Sequence, residues 1–132
     1  MFAKINSLGV YALEGFAVSV EADISGGLPQ FAIVGLPDNA VKEATDRVRS
    51  ALKNLGFTYP VSRITINLAP ADIKKTGPVY DLPVLLAILA ASEQIKEPAS
   101  DIAFIGELSL DGSVRGVNGV LPMIIAAKNN GI

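Results

Sequence analysis

Neither cysteine nor histidine occurs among the 132 residues. Their absence excludes disulfide scaffolds, Cys or His zinc sites, Cys–His and Ser–His nucleophile pairs, and histidine pH switching. Carboxylates alone remain as metal ligands. Charge is scarce as well: charged residues make up 18% of the chain and the formal net charge is −2, so no global attraction to a nucleic-acid backbone exists. Long apolar runs are missing too. The longest, Leu82 to Ala91, is about half the ~20 residues of a spanning helix. The N-terminus Met1-Phe2-Ala3-Lys4 lacks the basic-then-apolar order of a signal peptide. These features point to a cytoplasmic protein with no membrane partner.

What is present suits one packed domain. Half of the residues are hydrophobic, enough for a core at this length. The mean hydropathy is high for a soluble chain, which suggests apolar surface that meets another domain or subunit. No repeat or linker divides the sequence.

Three apolar, β-branched segments open the chain, at Ala3 to Leu8, Gly15 to Ile24 and Gln30 to Val34. In the second, Phe16, Val18, Val20, Ala22 and Ile24 alternate with Ala17, Ser19, Glu21 and Asp23, the period of a strand with one buried face. Gly26-Gly27 and Pro29 read as a turn, predicting an antiparallel meander. A helix is predicted from Asp38, its N-cap, to the terminating Gly56, with Val41, Ala44, Val48, Leu52 and Leu55 as the apolar stripe. Arg63 to Leu68 reads as a strand. Leu82 to Ser92, apolar on nearly every side, predicts a central helix capped by Asp81. Ile102 to Leu110 and Ser113 to Val117, around Asp111-Gly112, predict a β-hairpin, and Val120 to Asn130 a last helix closed by Gly131. The chain stops at Ile132, where a helix-to-strand connection would ordinarily continue, and so reads as a fragment.

Sites for chemistry are few. Gly35-Leu36-Pro37 before a helix could bind an anion, but Asp38 would occupy the free N–H groups with its own carboxylate. The glycines at 106, 112, 116 and 119 do not form a Walker loop, because no Gly-Lys pair exists. No serine lies between Ser62 and Ser92 to partner Lys74 or Lys75 locally. Asp72 and Asp81 read as turn and cap residues rather than as a metal pair. Lys42, Arg47, Arg49, Lys53 and Arg63 form a basic strip broken by Glu43 and Asp46, with Glu43 and Arg47 at helix spacing i,i+4, which predicts a solvated face of mixed charge. Lys74 and Lys75, with Arg47 and Arg49, are the candidate contacts to a nucleic-acid backbone or a partner.

Three stretches carry a family resemblance: GLPDNAVKEA at 35–44 running on to RVRSALKN at 47–54, INLAPADIKKTG at 66–77 running on to YDLP at 80–83, and GELSLDG at 106–112. Together they resemble the N-terminal domain of the YifB/ComM family of magnesium-chelatase-like AAA+ ATPases. The likeness runs the length of the chain. It implies an α/β (α+β) fold like that of the Lon protease domain and of the second domain of a small-subunit ribosomal protein, a mixed sheet packed with about three helices. Residues 1–132 would then be an N-terminal Lon-like (ChlI-type) domain cut before its AAA+ motor. The resemblance places ATP and magnesium in that motor and no cofactor here. It implies as partners the motor, neighbouring subunits and DNA, in branch-migration helicase work during natural transformation.

In Lon-like peptidases the nucleophilic serine follows a Gly-Pro pair, and the partner lysine opens the last helix after a glycine. Here Val79 follows Gly77-Pro78, and matching back from Gly131-Ile132 places Leu121 at the lysine position. Neither can form or activate an alkoxide. The expectation is a non-catalytic accessory domain on a retained peptidase scaffold. The alternatives are a divergent Ser–Lys peptidase and a purely structural oligomerisation module.

Overall fold

The computed structural model describes residues Met1–Ile132. Four strands form one mixed sheet in the order β1-β2-β4-β3, with β1 at Phe2–Tyr11, β2 at Glu14–Ser25, β3 at Gln30–Val34 and β4 at Arg63–Ala69. β1 and β2 are an antiparallel hairpin, and β2 pairs antiparallel with β4. The predicted meander ends there. β3 does not pair with β2 but lies parallel to β4, across the sheet from the hairpin. The reason is burial: Ile64, Ile66 and Leu68 of β4 are fully buried, as a strand with neighbours on both edges should be, whereas β3 is short and half-exposed. A parallel pair needs a crossover, and the helical segment between β3 and β4 supplies it.

That segment is two helices, α1 at Asn39–Lys42 and α2 at Ala44–Asn54, interrupted at Glu43 where one continuous helix was expected. Asp38 is the N-cap, its side chain accepting from the Val41 N–H at 2.8 Å. It also accepts from the Gly77 N–H at 3.3 Å, tying α1 to the loop after β4. Asp38→Ala is therefore expected to lose about 1–2 kcal/mol, toward the upper end for a cap because a second N–H is orphaned. Urea unfolding of the variant beside the parent measures it.

Val41, Ala44, Val48, Ala51 and Leu52 face the core, while Leu55, expected in the stripe, is half exposed. α3, Asp81–Ala91, follows a 3-10 turn at Pro78–Tyr80 and buries eight of its eleven residues. It packs on β1, β2, α2 and a short strand, β5, at Glu107–Leu108, which explains its all-round apolar character. α4, Val120–Asn129, lies on the opposite face of the sheet. There Val10 and Gly15, a cross-strand pair, meet Gly119 and Pro122.

The predicted hairpin at 102–117 shrinks to β5 against β6, Val114–Arg115. The preceding residues use their backbone elsewhere: Phe104 N–H donates to Asn6 O at 2.9 Å, and Gly106 N–H donates to Val79 O at 3.0 Å. The segment is thus stitched to β1 and to the turn before α3, and only Glu107–Leu108 pairs with β6.

Candidate functional site

All three family stretches meet at one buried carboxylate. Asp81 is fully buried in the first turn of α3 and does not cap it, contrary to expectation. From the first stretch, Arg47 reaches it with Nε at 2.6 Å from Oδ2 and Nη2 at 3.0 Å from Oδ1. From the third, the Leu108 N–H donates to Oδ2 at 3.0 Å. Arg47 Nη2 also donates to Ala40 O at 3.0 Å. Burial pushes the Asp81 carboxyl above its ordinary value, with the Arg47 hydrogen bond and the Leu108 N–H pulling it back. The hydrogen bond to Asp81 raises the Arg47 guanidinium in turn. Arg47, expected on the solvent side, is thus a structural cation. The i,i+4 relation to Glu43 concealed this in the sequence; the Glu43 contact at 3.8 Å is the weaker of the two.

A second junction joins the first two stretches. The Lys75 N–H donates to Leu36 O at 3.0 Å and the Asp38 N–H to Lys75 O at 2.9 Å, clamping the loop after β4 onto the turn after β3. Lys75 itself is fully buried, its ammonium donating to the Pro70 carbonyl. Burial lowers its pKa from the ordinary lysine value, and Asp72 opposes the shift. Lys75, read from the sequence as a candidate contact, is buried here rather than presented at the surface. Lys74 beside it is exposed. Arg49 is partly exposed, 3.7 Å from Asp46, with its guanidinium 5.5 Å from the centre of the Tyr59 ring. Of the four candidate contacts, Lys74 is exposed and Arg49 partly so, whereas Arg47 is half-buried against Asp81 and Lys75 is buried.

Between Gly77 and α4 lies a cleft of about 320 Å³, lined by Gly77, Pro78, Val79, Glu107, Asn118 and Met123. Val79 is buried in its wall. Leu121 is not among the lining residues and is 69% exposed. No serine hydroxyl is hydrogen-bonded to a lysine: Ser7, Ser92 and Ser113 bond to backbone or to Asp111, and Ser109 accepts from Arg115. No lysine follows a glycine, and no group of three or more acidic side chains gathers. No helix is long and apolar enough to cross a membrane.

The chain folds as a mixed α+β sheet with helices on both faces, and its Lon-protease-like class rests on its distant similarity to Lon proteases. The chain belongs to the family of subunit ChlI of Mg-chelatase, which matches residues 20–132. It is 50% identical over 125 residues to the competence protein ComM of Haemophilus influenzae, covering 94% of this chain and 24% of that protein. It is 51% identical over 115 residues to the YifB protein of Escherichia coli, covering 86% of this chain and 23% of that protein. Lon protease 3 of Sorangium cellulosum is 29% identical over 135 residues, covering 97% of this chain and 16% of that protein. The chain thus spans about a quarter of the length of its closely similar curated relatives.

Proposed function

We propose that this chain is a non-catalytic accessory domain of a magnesium-chelatase-like AAA+ ATPase that processes DNA in the cytoplasm. Its contacts are with the motor, with neighbouring subunits and with DNA, and ATP and magnesium belong to the motor. One observation carries the non-catalytic part: aliphatic Val79 and Leu121 stand at the positions of the hydroxyl and amine of a Lon-type dyad, and Leu121 does not line the cleft. The test uses the full-length protein. ATP hydrolysis stimulated by branched DNA, with no turnover of casein or fluorogenic peptides, is the expected result. Peptide turnover abolished by Lys74→Ala or Lys75→Ala would restore the divergent peptidase.

Lys74 is the exposed cation of the clamped loop junction, which favours it for a phosphate contact. Lys74→Ala in the full-length protein is expected to weaken DNA binding several-fold at low salt. The slope of log K against log salt should fall by about 1, as loss of one phosphate contact requires. An unchanged slope would remove Lys74 from the interface. The reading as an oligomerisation module draws on the exposed Leu121, Ile124 and Ile125 of α4. Self-association in light scattering without salt-sensitive DNA affinity would favour it.

A further inference from the structure

A single charged residue, Glu107, lines the cleft between Gly77 and α4. It is half-buried and enters none of the three ion pairs of the chain. Arg115 stands directly opposite it across the β5–β6 ladder but donates to Ser109 Oγ at 2.7 Å. Arg47 feels Glu107 through space, while its own hydrogen bonds go to Asp81 and Ala40. The cleft therefore carries a negative charge and no cation of its own.

The rest of the lining suits a peptide backbone. β6 ends at Arg115 and α4 begins at Val120. Between them Gly116, Val117 and Asn118 line the cleft, and their N–H and C=O groups make no backbone hydrogen bond within the chain. Gly106, next in register to Gly116, bonds with Val79 and Leu82 instead, which frees the continuation of β6. A row of free donors and acceptors at the end of a ladder is a template for an added strand. The facing wall leaves room for one. Gly77, at φ +79, has no atom within 4 Å of where a Cβ would lie, and Thr76 beside it is exposed. At about 320 Å³ the cleft falls at the small end of the ~300–1,000 Å³ range of ligand pockets, a size for one side chain and its flanking peptide groups.

We propose that this cleft binds an extended peptide segment of a partner protein, one that carries a lysine or arginine side chain. The segment's backbone pairs along residues 116–118, and its ammonium or guanidinium meets the Glu107 carboxylate. Charge decides between ligand classes. A phosphate backbone would be repelled by Glu107, with no lining lysine or arginine to offset it. A free amine would satisfy the carboxylate but leave the backbone row unused. The proposal adds a partner to the accessory-domain reading and depends on neither the motor nor DNA.

The probe is a blocked pentapeptide with a central lysine between two photo-leucines, irradiated with the full-length protein. Blocking the ends leaves the lysine as the only charge. Mass spectrometry then locates the cross-links, so that binding to another part of the protein is told apart by position. Cross-links are expected at residues 76–79 and 116–118. Unlabelled lysine peptide should compete for them, and its norleucine counterpart should need about tenfold more, as the loss of a charge-assisted hydrogen bond requires. Glu107→Gln keeps the size of the side chain and removes its charge. In that variant the two competitors should become equal, with the cross-links at the same residues. Cross-links confined to other residues would overturn the proposal. So would equal competition by the lysine and norleucine peptides in the parent protein, or a lysine preference that survives Glu107→Gln. ATP hydrolysis and DNA binding are measured on the same preparations. Their failure would remove the DNA-processing reading while leaving the cross-link positions to decide the cleft.

Discussion

Arg47→Ala is expected to cost roughly 3–5 kcal/mol, because it removes one partner of a buried ion pair and strands the other. Against a typical domain stability of about 5–15 kcal/mol, that is enough to leave a marginal protein. Asp81 is fully buried and would keep one N–H, from Leu108, in place of three hydrogen bonds. Urea unfolding at neutral pH measures the loss, and a change below about 1 kcal/mol would show the pair to be a surface-type contact. The loss should also depend on pH. The Asp81 carboxyl is raised by burial in the parent, and without the guanidinium it rises further. A raised carboxyl favours the folded state while protonated, and that contribution fades as pH climbs from the ordinary carboxylate range through the folded value. The gap between Arg47→Ala and the parent is therefore widest at neutral pH and narrows as pH falls toward the ordinary carboxylate range. Arg47→Met combined with Asp81→Asn should recover part of the loss at neutral pH, because a neutral amide needs no counter-charge and can still accept from Leu108.

Asp81 also marks the limit of what the sequence discloses. The alternation in β2 and the spacing of three and four in α2 were readable because both are local patterns that a buried face imposes on its own segment. The apolar run of α3 foretold a helix covered on several sides for the same reason. Nothing local reports that β4 enters between β2 and β3, since the choice depends on which strand can be buried on both edges. Nor does spacing reveal a partner 34 residues away, so Arg47 read as the mate of Glu43 and Asp81 as a cap. Lys74 and Lys75 were better placed to be told apart. Lys75 pairs with Pro37 in a parallel bridge, and in extended backbone adjacent side chains point to opposite sides. The two neighbouring lysines therefore take opposite sides, and the Lys75 side chain is the one buried, donating to the Pro70 carbonyl. Val79 and Leu121 were identifiable from family position alone. That Leu121 meets solvent outside the cleft required the packing of α4.

Gly35→Ala should be comparably damaging, at roughly 2–5 kcal/mol, and a companion variant separates its two causes. Gly35 has φ +102, and a Cβ there would lie 2.9 Å from the Leu68 backbone nitrogen and nearer still to its carbonyl oxygen. Leu68 belongs to the central strand β4, fully buried and paired on both edges, so its backbone cannot give way as a flexible side chain would. Gly27 has φ +124 with no atom within 4 Å of where a Cβ would sit, so Gly27→Ala carries the backbone cost by itself. The expected excess of Gly35→Ala over Gly27→Ala is about 1–3 kcal/mol, the cost of overpacking against a fixed neighbour. Equal losses would show that conformation alone requires glycine there. The same substitution should loosen the Lys75 clamp, because Leu36 O, its acceptor, sits on the residue that any shift of Gly35 moves first. Faster hydrogen exchange at the Lys75 and Asp38 amides than in Gly27→Ala, compared at matched global stability, is the local signature expected. Unchanged exchange at both amides would mean that the clamp holds independently of how closely β3 and β4 approach.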